Sequence, residues 1–399
     1  NPDYCVDKIG KTMNLELSPE QTLIRDTARD FATRELEPHA MEWDENHHFP
    51  LDMFRKMGQL GFAGMIVPEE YGGVGADTLT YILMLEEINR VVPALGTVLS
   101  VHNSLACGAL LEYGTEEQKQ RYLPRLASGE WLGAYALSEA HAGSNPASMR
   151  ATAIKRGDVY VLNGTKTWIT SGASCDVAVT FAVTGNSDKP SRNISAFLVT
   201  RDTPGLSASK AENKMGIRAS ETNQLVFEDA EVPAENLLGS EGEGFKIAMS
   251  LLDGGRIGIA AQGVGITQRV FEEATNYSIS REQFGGPISD HQAIQFILAD
   301  MATGLSAARL LLYRAATMKD KKQRVSKEAS MAKLFATELA MRSAHAALQV
   351  HGGYGYVKEY PVERFFRDAK VTEIYEGTSQ IQRVVIASNL LKTARSTAG

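Results

Sequence analysis

Residues 159–170 read VYVLNGTKTWIT. β-Branched and aromatic residues alternate there with polar ones, which is the period of a half-buried strand. Asn163-Gly164 is the residue pair that accepts the positive φ angles of a two-residue hairpin turn. DVAVTFAVT at 176–184, ISAFLVT at 194–200 and NQLVFEDAEVP at 223–233 carry the same texture. Residues 131–244 therefore read as an antiparallel sheet domain.

On both sides of this stretch the period changes to that of a helix. SPEQ at 18–21 offers Ser18 as N-cap, Pro19 at the first helical position and Gln21 for a capping box, and Leu23, Thr27, Ala28 and Phe31 follow at helical spacing. Helical runs continue to about residue 127, broken by the turn-rich PEEYGGVG at 68–75. After GEGFKIAMSLLDGGR the helical period returns, as in Met331, Leu334, Phe335 and Leu339, and holds nearly to the end. The order helices, sheet, helices predicts an α+β protein with an N-terminal helical domain (15–130), the sheet domain (131–244) and a C-terminal helical bundle (245–399). Residues 1–14 read as a processed or tag-like, disordered segment ahead of this fold. There is no βαβ alternation and no GxGxxG after a strand, which argues against a Rossmann dinucleotide fold.

At 399 residues the chain exceeds what one hydrophobic core usually serves. Its formal charge of -7 argues against a nucleic-acid binder, and the one short basic run, KDKKQR at 319–324, reads as a solvated loop. No apolar run approaches the roughly 20 residues of a membrane helix, so no membrane association is expected. Cys5, Cys107 and Cys175 are widely spaced, as expected of unpaired thiols in a reducing compartment. No metal-ligand spacing is present.

Chemistry is expected at a few places. In IYEGTSQ, 374–380, Glu376 lies between apolar residues and a glycine, just ahead of a helix for which Ser379 and Gln382 fit a capping box. A helix N-terminus suits an anion, and a carboxylate there is either solvated or kept for chemistry. AYALSEAHAGSN at 134–145 places Ser138, Gly143 and Ser144 where the helices meet the sheet. Trp168 can pack across strands or stack on a planar cofactor. REQFGGPISDHQ (281–292) and QVHGGYGY (349–356) are glycine-rich aromatic turns that serve either helix termination or ligand contact.

Taken together, YGG at 71–73, LSEAHAGS at 137–144, NGTKTWIT at 163–170, LDGGRIGIAAQ at 252–262, REQFG at 281–285, QVHGGYGY at 349–356 and IYEGTSQIQR at 374–383 resemble the flavin-dependent acyl-CoA dehydrogenases in order and spacing. The resemblance runs from about residue 15 to 392 and favours the short-chain, butyryl-CoA type, with some likeness to the isobutyryl type. It implies three domains around FAD in a homotetramer, in the bacterial cytosol or the mitochondrial matrix, with an acyl-CoA substrate and the electron-transferring flavoprotein as acceptor. Leu137, Ser138, Gly143, Ser144, Trp168, Ile169 and Thr170 would hold the flavin. Thr378 and Gln380 would complete the contacts, while Arg281, Phe284, Gln292, Gln349 and Gly353 would touch the FAD of a neighbouring subunit. Glu376 matches the family's catalytic base. Ser144, Asp253, Arg256, Tyr375 and Gly377 match positions near the substrate, although Asp253 and Arg256 also fit a structural ion pair. Isovaleryl and long-chain relatives carry their base just before the arginine of LDGGR, where this chain has Gly255.

Two departures stand out. The family usually has proline after the motif glutamate and aspartate after AGS, whereas this chain reads Glu139-Ala140-His141 and Ser144-Asn145. RVVPALGTV at 90–98 lacks the arginine that glutaryl-type relatives place near Gly96. The alternatives are a branched-chain acyl-CoA dehydrogenase, an acyl-CoA oxidase or, from another class, a flavin-containing DNA-binding protein.

Overall fold

The computed structural model describes residues 16–398, so the segment expected at 1–14 lies outside the described residues. Helix α1 (Pro19–Phe31) begins on the Ser18/Gln21 capping box. Helices α2 (Ala40–Glu45), α3 (Leu51–Gln59), α4 (Thr78–Val91), α5 (Pro93–Ser100), α6 (Gly108–Tyr113) and α7 (Glu116–Ala127) complete the first helical unit. Between α5 and α6 the chain widens into a π-helical stretch, Val101–Cys107, where Asn103 Nδ2 donates to the carbonyls of Leu99 and Phe62. Such widening is frequent at functional sites, and this one lies against the site described below.

The sheet is formed by β1 (Gly133–Ala136), β2 (Thr152–Arg156), β3 (Val159–Thr170), β4 (Val177–Val183), β5 (Ile194–Thr200), β6 (Leu206–Ala208), β7 (Thr222–Pro233) and β8 (Leu237–Leu238), in the order β6-β7-β3-β2-β4-β5-β8. It departs from the sequence expectation in two ways. It is mixed, because β1 runs parallel to β4, Gly133 opposite Val177, and β2 meets the end of β4 in parallel at Thr152 and Val183. The long excursion between β1 and β4 supplies the crossover that a parallel pair needs.

Secondly, Asn163-Gly164 makes no hairpin, and VYVLNGTKTWIT is one continuous strand. The turn is instead at Gly157-Asp158, between β2 and β3, with Gly157 at φ 60°. Gly164 is needed for close approach, since a Cβ there would stand 2.7 Å from Ala151 Cβ. Asn163 holds the bulged partner strand through paired hydrogen bonds with Asp229.

After the sheet come the long helix α8 (Gly244–Ser280), a small hairpin of β9 (Glu282–Gln283) and β10 (Gly286–Pro287), then α9 (Gln292–Asp320), α10 (Ser326–His351), α11 (Val362–Thr372) and α12 (Ser379–Ala398). Helices α4, α5, α8, α9 and α10 share one core, from Ile82 and Leu95 through Ile257 and Val264 to Leu312 and Ala336. The two helical units are thus continuous in packing. A second core joins Leu105, Tyr122 and Leu126 to Val179 and Phe181 of the sheet and to Leu251 of α8. By length and apolarity, two helical stretches match a membrane span, contrary to expectation. Pro93–Tyr113 is core, whereas Gln292–Asp320 is largely half-buried, with one face in the core through Met301, Leu305, Ala308 and Leu312.

Candidate active site

Between α11 and α12 the chain makes a strained turn. Glu376 has φ 53° and Gly377 φ 90°, two successive left-handed residues. For a glutamate this conformation is unfavourable and needs support from its surroundings. Gln382 supplies part of it, since its Nε2 donates to the Gly377 carbonyl at 2.8 Å and to that of Glu376 at 3.2 Å. Lys333 Nζ donates to the same Gly377 carbonyl at 2.7 Å. The expected Ser379/Gln382 capping box is therefore not formed, because Gln382 is engaged by the turn. The hydroxyl of Thr378 caps instead, accepting from Ile381 N–H at 3.3 Å, and Ser379 Oγ is buried without a partner.

This turn directs the Glu376 carboxyl inward. Its Oε2 is buried and has no hydrogen-bond partner among the described residues. It fills the space left beside α8 by Gly255, where a Cβ would be 2.5 Å from Oε2 and 3.3 Å from Leu105 Cδ2 of the π-helical stretch. Burial pushes the carboxyl up to about 7, against the pull of Lys333 and Arg256. Burial likewise brings the Lys333 ammonium down to about 7, against the pull of Glu376. Among the described residues the backbone N–H of Glu376 has no acceptor.

Next to Glu376, Tyr375 points into the core of the helical units. Its hydroxyl donates to Gln262 Oε1 and lies 3.2 Å from Thr97 Oγ1. Gln262 Nε2 in turn donates to Thr97 Oγ1 at 2.8 Å and to the Pro93 carbonyl at 2.9 Å. This network of α5, α8 and the Glu376 turn is satisfied internally, so it makes a fixed polar wall. Asp253 and Arg256, on α8, form an ion pair at 2.7 Å, and Ser326 Oγ donates to the other Asp253 oxygen at 2.5 Å. The structural-pair reading thus describes their mutual geometry, while Arg256 also lies near enough to act on the Glu376 charge.

Residues expected to hold a flavin fall in two groups. In the first, the loop after β1 is tied to β3: the Ser138 carbonyl accepts from Thr167 N–H at 2.9 Å. Lys166 is completely buried and donates to Glu139 Oε1 at 2.8 Å and to the Leu137 carbonyl at 3.2 Å. Glu139 also accepts the N–H groups of Arg150 and Ala151. Burial raises the Glu139 carboxyl, but Lys166 and these donors outweigh it and hold the group low. His141, one of the departures from the family pattern, adds its Nε2 at 3.5 Å from Glu139 Oε2. Trp168 sits at φ 62° on a bulge of β3 with its side chain 64% exposed, while its neighbour Ile169 is buried, Thr170 half-buried and the Thr167 hydroxyl buried without a partner. Gly143 and Ser144 are exposed, and nothing lies within 4 Å of a Cβ added at Gly143. An uncovered indole beside an orphaned hydroxyl and an open glycine fits a flat heterocycle with polar edges.

Of the second group, Arg281 and Gly353 line a cavity of about 720 Å³ at the ends of α8 and α10, together with Tyr354 and His351, whereas Phe284, Gln292 and Gln349 are outside its lining. His351 stacks on Tyr277 at 4.2 Å, and its Nε2 is buried without a partner. Phe284, 96% exposed, is at the tip of the β9–β10 hairpin, Gln292 opens α9, and Gln349 is exposed on α10. None of Leu137, Ser138, Gly143, Ser144, Trp168, Ile169 or Thr170 lines this cavity. Thr378 and Gln380 lie at the α12 start, beside the Glu376–Gly377 turn. Lys333, Gln262 and Thr97 were not singled out from the sequence, and Gln382 was expected only as a capping-box partner. Lys333 had a legible signal, a lone cation on the alanine stripe of α10 formed by Ala329, Ala332, Ala336 and Ala340.

Two helical units flanking a mixed sheet, with a desolvated carboxyl facing a glycine of the long helix and an uncovered indole on the sheet, are the frame of a flavin-dependent dehydrogenase. Models of the acyl-CoA dehydrogenase N-terminal, middle and C-terminal domains match residues 18–130, 134–230 and 242–391. The chain belongs to the acyl-CoA dehydrogenase family, oxidoreductases that carry FAD. It is 50% identical over 383 residues to the rat mitochondrial short-chain specific acyl-CoA dehydrogenase, covering 96% of this chain and 93% of that protein. Among solved structures, butyryl-CoA dehydrogenase from Megasphaera elsdenii superposes with a TM-score of 0.93 at 42% identity, over 95% of this chain and all (100%) of that one. A chain from work on the electron transferring flavoprotein of Acidaminococcus fermentans and flavin-based electron bifurcation superposes with a TM-score of 0.94 at 48% identity, over 95% and 100% of the two chains.

Proposed function

We propose that the protein dehydrogenates a short-chain acyl-CoA thioester to the trans-2-enoyl-CoA, with Glu376 removing the pro-R α-proton. The observation that carries this reading is the Glu376 carboxyl: its Oε2 is buried without a hydrogen-bond partner although the residue is half-buried, and the group is raised to about 7. A weakly acidic C–H bond needs such a base, because a desolvated carboxylate gains from taking up a proton. The free N–H of Glu376 adds a donor for the thioester oxygen as enolate-like charge develops there, an interaction worth about 3–4 kcal/mol in comparable oxyanion sites. Asp253 and Arg256 hold one another on α8 at the approach to the base.

When bound, FAD supplies the acceptor for the β-hydride at N5, together with a ribityl hydroxyl for the thioester oxygen. Leu137, Ser138, Gly143, Ser144, Trp168, Ile169 and Thr170 hold it from the sheet, and Thr378 and Gln380 from the start of α12. Arg281, Phe284, Gln292, Gln349 and Gly353 hold the dinucleotide of a neighbouring subunit. The separation of the two groups on one chain supports that division and, with it, association of subunits, for which a homotetramer is typical of the family. Exposed Phe284, Phe296, Leu390 and Leu391 give the apolar surface such an assembly needs.

The preference for a short chain rests on the Tyr375–Gln262–Thr97 wall. Hydrogen-bonded side chains at the inner end of an acyl slot would have to lose their partners to admit more methylenes. Electrons then pass to an electron-transferring flavoprotein, a reading supported by the likeness to the Acidaminococcus fermentans chain. The test is anaerobic reduction of the FAD-loaded protein by butyryl-, isobutyryl- and octanoyl-CoA. Fastest bleaching by butyryl-CoA supports the proposal, whereas no bleaching by any thioester contradicts it.

A further inference from the structure

Among the described residues Lys333 is the fully buried cation next to the base. It is 0% exposed on α10, and its ammonium makes a single hydrogen bond, to the Gly377 carbonyl at 2.7 Å. Among the described residues no carboxylate stands at ion-pair distance from it. Its situation differs from that of the other nearby cation, since Arg256 is neutralised by Asp253 at 2.7 Å. Burying an unpaired ammonium is expensive, and a packed methionine in its place would be cheaper.

Its position accounts for the cost. The Gly377 carbonyl it grips belongs to the left-handed pair that aims Glu376. The same ammonium acts on the Glu376 carboxyl, which has no direct partner of its own. We propose that Lys333 is a positioning residue for the base: it clamps the Glu376–Gly377 turn and, in its ammonium form, favours the ionised form of the Glu376 carboxyl over the protonated one. The inference rests on Glu376 being the base and assigns a cause to its readiness.

The other groups facing the carboxyl do not supply this charge. Arg256 of α8 is paired, Tyr81 of α4 and Tyr135 of β1 are held protonated by burial, and Tyr375 is in the Gln262 network. Glu373, which acts on Lys333 from the end of α11, is itself paired to Lys370 at 2.7 Å. Lys333 is thus the uncompensated cation of the set.

The test compares Lys333→Met, Lys333→Gln and Lys333→Arg with the parent, all as FAD-loaded protein. Glu376 protonation is read without turnover, from the carboxyl infrared band that disappears in Glu376→Gln, followed against pH. Loss of the cation leaves the desolvation in place, so the midpoint rises by about one pH unit or more in the Met and Gln variants. In Lys333→Arg it stays near the parent value. The pH profile of single-turnover flavin reduction moves with it. Lys333→Gln keeps a donor for Gly377, so if the Met variant does not fold, the Gln variant carries the comparison. An unchanged midpoint in a neutral variant overturns the proposal. If Glu376→Gln reduces flavin as fast as the parent, the base assignment fails instead, and the infrared midpoint still reports what Lys333 does to that carboxyl.

Discussion

Gly255 and Glu376 divide one volume between them: the carboxyl of the second stands where a side chain on the first would be, 2.5 Å from Oε2 to an added Cβ. The atom met is the end of a flexible side chain and the site is within a helix, where alanine is favoured over glycine by about 1 kcal/mol. Gly255→Ala should therefore fold with an unchanged or higher melting temperature, yet lose about a hundredfold in kcat through displacement of the base. Thermal melting and steady-state rates on the same preparation check both halves.

The raised carboxyl predicts a pH profile. Glu376 must be ionised to accept a proton, and its value is near 7. Activity of the free enzyme on short-chain substrate should rise as pH increases through about 7 and level above it. A profile flat from pH 5.5 to 8 would separate the rate from this carboxyl.

Stability should show the opposite sign. Between 4.5 and about 7 the unfolded chain has released the Glu376 proton and the folded chain retains it, so this group's contribution falls as pH rises through that window and is constant above it. Glu376→Gln removes the cost. The variant should melt higher than the parent at pH 8, with no such gain at pH 4.5, in paired calorimetric scans.

The Tyr375 network predicts a change in chain-length preference. Gln262→Ala removes the acceptor of the Tyr375 hydroxyl and opens room toward Pro93. The kcat/KM ratio of hexanoyl- to butyryl-CoA should rise about tenfold, the scale on which a pocket discriminates a methylene or two. An unchanged ratio would place the end of the acyl chain elsewhere.

Lys166 and Glu139 predict a link between stability and cofactor retention. Lys166→Met leaves the Glu139 carboxylate buried without its cation, a change that costs about 3–5 kcal/mol in comparable pairs. His141, at 3.5 Å and with its side chain 39% exposed, cannot replace a completely enclosed ammonium. FAD binding, measured by fluorescence titration, should weaken together with the melting temperature, because the pair ties the loop after β1 to the strand that carries Trp168.

The helix–sheet–helix order was legible because each part writes its period plainly: Leu23, Thr27 and Phe31 on one side, VAVTFAV in the middle, Leu334 and Phe335 on the other. What misled was local chemistry with two uses. Asn163-Gly164 has the composition of a hairpin turn, but Gly164 serves the approach of Ala151, thirteen residues earlier in the chain, a contact that the local turn signal does not carry. Ser379 and Gln382 have the spacing of a capping box, yet Gln382 is drawn to the carbonyls of the base turn. Glu376 could be picked out as a carboxylate in apolar company. Its φ angle, its open neighbour Gly255 and its cation Lys333 come from three separate elements, and only packing brings them together.

The most direct test of the central claim is anaerobic mixing of butyryl-CoA with the FAD-loaded protein and with Glu376→Gln, followed at the flavin absorbance. Rapid bleaching of the parent and a variant that binds the thioester but remains oxidised is the result expected of a base at Glu376. Equal bleaching of the two would show that another group takes the α-proton.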